Sequence, residues 1–218
     1  MRIVYLGLLA SDRATGMRRA EEHLTALAES VVGHSRGQVS VDIVSCGEAV
    51  GRRVVGAGVS RTVLPFAGTP RTPWDAASWQ LPEQLAECDI VHIHDGFSRL
   101  GELGLLVAKQ LRKPICVTEY GVKGHWLGIE LDLPRLADAI ICHSATVAAE
   151  VTAADGDRAV ELLEAEIDVR WFGVPADWPT PACTTITAEP PQVDYDALGA
   201  RLHVIYDRLA VASLEAAA

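Results

Sequence analysis

The chain has 218 residues, 49% of them apolar and 22% charged, with a formal net charge of −10 and a pI near 5.1. That length holds one sizeable core or two small ones, and the balance is that of a globular chain rather than a disordered one. The acidic excess argues against nucleic acid and anionic membrane surfaces, which are held by clustered Lys and Arg, and favours small-molecule chemistry.

The opening stretch "MRIVYLGLLASDRATG" turns polar after about seven apolar positions and has no cleavage-site pattern. No apolar stretch reaches the roughly 18 to 20 residues of a membrane span, so a cytoplasmic address is expected. "IVYLGLL" (3–9) is a continuous apolar run suited to a buried parallel strand. Residues 17–32 follow with Met17, Ala20, Leu24, Leu27, Ala28 and Val31 at helical spacing. Further strands are predicted over 39–45, 61–66, 89–94, 114–120 and 138–144, with helices between most of them. Such alternation predicts an α/β fold: a single Rossmann-like, doubly wound, mostly parallel sheet with ligands at the carboxyl ends of its strands. The five cysteines are odd in number and widely spaced with no CxxC, so disulfides are not expected. Cys116 and Cys142, inside apolar runs, read as small hydrophobes.

Ligand chemistry concentrates where the 89–94 strand ends, in His92, His94 and Asp95. On a strand, His92 and His94 project to one side, as a metal would require of an HxH pair. The other histidines offer no second HxH or HExxH spacing, and no metal is expected. Histidines hydrogen-bonded at a strand end, with Asp95 capping the next helix, are the simpler reading; contacts to a ligand are the other. Arg13, Arg18 and Arg19 surround Gly16 at the start of the first helix, where backbone N–H groups favour an anion, although first-turn arginines also commonly face solvent. Lys123, His125 and Trp126 lie in a glycine-punctuated loop, "GVKGHWLGIE", after Tyr120. Trp74 and Trp79 either line a pocket or fasten a loop, and packing is the better reading.

In order along the chain, "ECDIVHIHDG", then Lys113-Pro114 with Thr118-Glu119-Tyr120-Gly121, then Ala137-Asp138-Ala139-Ile140-Ile141 with Ser144, resemble motifs of the N-terminal domain of retaining glycosyltransferases of family 4. "EIDVRWFGVPADW" (166–178) resembles the strand and turn that close that domain, with Phe172 where Asn is usual. The resemblance implies half of a GT-B fold with the donor-binding domain missing. It implies three parts: a domain over 1–172, a Pro-rich tether over 173–195, and a C-terminal amphipathic helix over 196–218 that packs back on the domain or on a partner. Leu198, Leu202, Ile205, Leu209 and Ala212 form the stripe of that helix, and Asp194 or Asp196 its cap.

The resemblance further implies catalytic positions at His94, Asp95, Glu119 and Tyr120, and substrate contacts from Arg13, Gly16, Arg18, His92, Lys123, His125, Trp126 and Ser144. Tyr120 stands where the family carries a histidine that contacts the reacting sugar, and a phenol is a poor proton acceptor at neutral pH. No resident cofactor is expected; a sugar nucleotide would enter as co-substrate. The expected partners are a sugar or other small-molecule acceptor, a donor-binding polypeptide and a second copy of the chain, a dimer being the commonest closed form. Three classes stay open: the acceptor-side half of a transferase, a catalytically inactive binding or scaffold relative, and a repurposed enzyme, metal-dependent through His92 and His94.

Overall fold

A computed structural model describes residues 1–7, 15–94, 96, 98–119, 136–143, 145–154, 160–163 and 193–217. Strand β1 (Arg2–Leu6) leads to helix α1 (Thr15–His34), strand β2 (Ser40–Cys46), the hairpin β3 (Gly51–Gly56) and β4 (Val59–Leu64), and helix α2 (Leu81–Ala86). Then come β5 (Ile90–Ile93), α3 (Arg99–Gln110), β6 (Ile115–Glu119), β7 (Ala139–Cys142), α4 (Ala145–Ala154), β8 (Val160–Leu162) and α5 (Tyr195–Ala217). One sheet has the order β3-β4-β2-β1-β5-β6-β7-β8, parallel throughout except for β3 against β4. The chain builds outward from β1 through β2 and β4, then returns to place β5 on β1's other side. The carboxyl ends of β1 and β5 are therefore a topological switch point, where such sheets open a crevice.

The central strands are apolar because both faces are covered. Leu6 and Ile93 meet α3 at Gly104, where any added Cβ would collide with Leu6. Tyr5 and His92, the residues just before them and opposite each other in register, turn to the other face and meet Tyr206 on α5. Leu24, Leu27, Ala28 and Val31 of α1 are buried, each large side chain worth about 1.5–3 kcal/mol of apolar transfer. Serine 98 starts α3, its side chain accepting from the Gly101 N–H at 3.0 Å. The cap is Ser98; Asp95, expected in that role, lies outside the described residues.

Six strands are legible as apolar runs; the sheet has two more. Strand β3 escapes notice because its residues, GRRVVG, are mostly exposed at the sheet edge. Gly58, at φ +73°, makes its hairpin with β4, and Arg53 and Arg61 both pair with Glu21 of α1. Strand β8 has three residues, too few for a period to register. Within β2, Asp42 is buried yet satisfied, accepting from Ser60 Oγ at 3.0 Å, Thr62 Oγ1 at 2.9 Å, Gln84 Nε2 at 2.8 Å and Arg2 Nη2 at 3.3 Å.

Helix α5 lies across α1. Asp194 caps it, accepting from the Ala197 N–H at 3.0 Å, while Asp196 binds His34 Nε2 at 3.0 Å. Leu198, Leu202 and Ile205 are buried and Leu209 half-buried, but Ala212 is exposed, because the helix has run past the surface it covers. Tyr206, outside the expected stripe, is completely buried. The tether expected over 173–195 lies outside the described residues up to position 192. Among the described residues no helix is long and apolar enough to cross a membrane.

Candidate functional site

At the switch point the parallel ladder runs one residue beyond each strand: the His94 N–H donates to Leu6 O at 2.9 Å and the Gly7 N–H to Val44 O at 3.1 Å. Beneath these ends, on the face covered by α1 and α5, the apolar core gives way to a polar cluster. His92 is fully buried, with Nδ1 2.5 Å from the Tyr206 hydroxyl and Nε2 2.7 Å from Thr118 Oγ1. The Tyr206 hydroxyl in turn donates to the Tyr5 hydroxyl at 3.0 Å. His94, also fully buried, has its ring 3.9 Å from that of His92 and 4.7 Å from that of Tyr5. His23 of α1 bonds through Nδ1 to the Tyr195 hydroxyl at 3.0 Å, and His143, after β7, through Nδ1 to Leu163 O at 2.8 Å.

Water is excluded here, so charge is disfavoured. Burial lowers His92 to about 3, helped by repulsion from His143, and lowers His23 to about 3 for the same two reasons. His94 is held well below the usual imidazole range by burial and by neighbouring His92, His23 and His143. Burial pushes the Tyr5 phenol and the Cys116 thiol above their ordinary ranges. At neutral pH the cluster is a floor of neutral hydrogen-bonding groups, suited to orienting side chains above it and unsuited to trading protons with a substrate. With both nitrogens of His92 engaged inside the protein, an HxH metal pair is not available in this arrangement. No three His, Cys, Asp or Glu side chains converge as metal ligands among the described residues.

Of the expected site residues, the structure brings His92 and His94 together. Glu119 does not join them: Thr118 points to His92, so strand alternation turns Glu119 to the opposite face. Gly16 and Arg18 fall within the first turn of α1, and the Arg18 side chain lies outside the described residues. Arg13, Asp95, Tyr120, Lys123, His125, Trp126 and Ser144 also lie outside them. Trp74 is buried, as packing would have it, but Trp79 is 84% exposed and packs on little. Tyr5 and His23 belong to no motif, and Thr118 and Tyr206, though they lie in the TEYG motif and the C-terminal helix, are not among the expected site residues. The available signal was the aromatic Tyr206 beside Ile205 on the helix stripe.

No family model matches the sequence, and no curated protein matches it. Among solved structures, a sucrose-phosphate synthase chain from Thermosynechococcus elongatus is 10% identical, with a TM-score of 0.53, over 96% of this chain and 99% of that one. The fold is one half of GT-B. A MurG from Acinetobacter baumannii is 12% identical with a TM-score of 0.45; the match covers 76% of this chain and 45% of that one. In this fold the switch-point edge carries His94, and α5 packs behind its neighbour His92.

Proposed function

We propose that the chain is the acceptor-side half of a retaining, sugar-nucleotide-dependent glycosyltransferase, completed by a donor-binding partner chain or subunit. The observation that carries this reading is the switch-point edge backed by a distant C-terminal helix, Tyr206 on α5 reaching the strand residue His92. Retaining transfer needs an acceptor hydroxyl held in line and a donor diphosphate neutralised by basic groups and helix N-termini. A neutral, rigid floor serves the first need by positioning rather than by proton transfer. The second falls to the partner.

Titration calorimetry of the purified chain with UDP-glucose and GDP-mannose is expected to give millimolar or weaker binding and no transfer to sugar acceptors. Micromolar donor affinity with turnover by the chain alone would overturn the incomplete-half reading. A second reading, an inactive binding or scaffold relative, is favoured by the engagement of both His92 nitrogens and by Tyr120 at the family's histidine position. The two separate on addition of a co-expressed sugar-nucleotide-binding chain that co-purifies with this one: transfer appears in the first case and stays absent in the second.

A further inference from the structure

Segment 65–80 joins the carboxyl end of β4 to α2, so it lies on the same edge of the parallel sheet as His94. It is held as a fixed ledge. The Ala67 N–H donates to Ala77 O at 2.7 Å, the Thr72 hydroxyl to Asp75 Oδ2 at 3.1 Å, and the Gln80 N–H to Ser78 Oγ at 3.2 Å. Asp75 also pairs with Arg99, the first residue of α3, at 3.6 Å, which ties the ledge to the helix that follows β5. Trp74, Ala76, Ser78 and Leu81 are buried, so the backbone on both sides of Trp79 is anchored in the body of the domain. Trp79 itself is 84% exposed. Tryptophan is ordinarily well buried, because so large an apolar surface gains most by leaving water.

We propose that Trp79 is a carbohydrate-binding residue whose indole is the platform on which a neutral sugar ring of the acceptor stacks at the carboxyl edge. Residues 76–82, AASWQLP, carry no charge, and Gln80 beside the indole is exposed. A flat apolar face with an N–H on its rim and a neighbouring amide matches a pyranose. The axial C–H bonds of such a ring make an apolar face, and its hydroxyls radiate outward to take hydrogen bonds. Because the backbone is already fixed, little ordering is left to oppose binding. That a sugar is brought to this edge rests on the acceptor-side reading, whereas the stacking itself is measured without donor, partner or turnover. A cation over the indole face, or a nucleobase stacked on it, is the competing chemistry.

The test is NMR of the indole N–H groups in the full chain, titrated with maltotriose and cellotriose. Trp79→Phe identifies the Trp79 signal among those of the five tryptophans. That signal is expected to shift saturably in the millimolar range, and sorbitol, a polyol without a ring, is expected to leave it unmoved. Saturation-transfer NMR on the trisaccharide protons should show binding weakened at least about tenfold in Trp79→Ala, the scale of one lost stacking contact, and partly kept in Trp79→Phe. Both variants should melt with the wild type, since the side chain is exposed. No saturable Trp79 shift with either trisaccharide, an equal shift with sorbitol, or unchanged binding in Trp79→Ala overturns the proposal. So does a response to tetramethylammonium or adenosine alone, which makes Trp79 a cation or base platform. Should Trp79→Ala not fold, the wild-type titration and Trp79→Phe still decide it. Sugar binding at Trp79 without transfer on addition of the donor-binding chain keeps the platform and removes the transferase; transfer without a Trp79 response does the reverse.

Discussion

His92 and His23 are neutral in the fold and protonate readily once exposed, so stability depends on pH through them. Their folded values, about 3, lie below the usual 6.5, so between these limits the unfolded chain binds more protons than the native one. Stability is therefore complete above pH 6.5 and falls as pH drops toward 3, by up to about 1.4 kcal/mol per pH unit for each histidine. Chemical denaturation at pH 7.5 and pH 5 should show that loss, and His92→Gln should remove one histidine's share of it, leaving that of His23; identical midpoints at the two values would contradict the neutral cluster. A second buried residue acts differently. Asp42 accepts from Ser60, Thr62, Gln84 and Arg2, so Asp42→Ala strands several donors at once and should cost about 3–5 kcal/mol in urea unfolding.

Helix α5 is a sharp test of packing against propensity. Gly199 abuts Ser30 of α1, and a Cβ there would meet the Ser30 side chain and its backbone carbon at 2.9 Å. Gly199→Ala should gain about 1 kcal/mol of helix propensity and lose more than that to the displaced backbone, giving a net fall in melting temperature. Leu202→Ala, at a buried position, should cost about 2–5 kcal/mol, whereas Val211→Ala, 55% exposed, should stay within about 0.5 kcal/mol. Equal effects at the two positions would mean that α5 is not docked as described. The same elements show what the sequence could disclose. The parallel strands are legible because burial on both faces leaves an unbroken apolar run, and α5 because its stripe keeps helical spacing through Leu209. Edge strand β3 is not, since an exposed, arginine-bearing strand has no apolar alternation to read. The His92–Tyr206 contact leaves no periodic trace either: it joins residues 114 apart, and a hydroxyl-to-imidazole bond constrains two positions rather than a pattern.

For the molecule as a whole, the sheet order divides the structure into a β1-β2-β4-β3 wing and a β5-β6-β7-β8 wing that meet beside α5. The first residues of the chain are thereby covered by the last helix: Tyr206 bonds Tyr5 across a separation of 201 residues. Closing such a span costs roughly 5 kcal/mol of chain entropy by the logarithmic loop law, so docking of α5 should come late in folding. Leu202→Ala should accordingly speed unfolding more than it slows refolding in a stopped-flow chevron, and the opposite partition would put α5 in the folding nucleus. The separation also acts in time during synthesis. At about 5–20 residues per second, the 114 residues between His92 and Tyr206 take on the order of ten seconds to emerge. Through that interval the His92 side of the nascent sheet lacks the helix whose Tyr206 meets it in the finished fold, and among the described helices α1 is the only cover already made on that face.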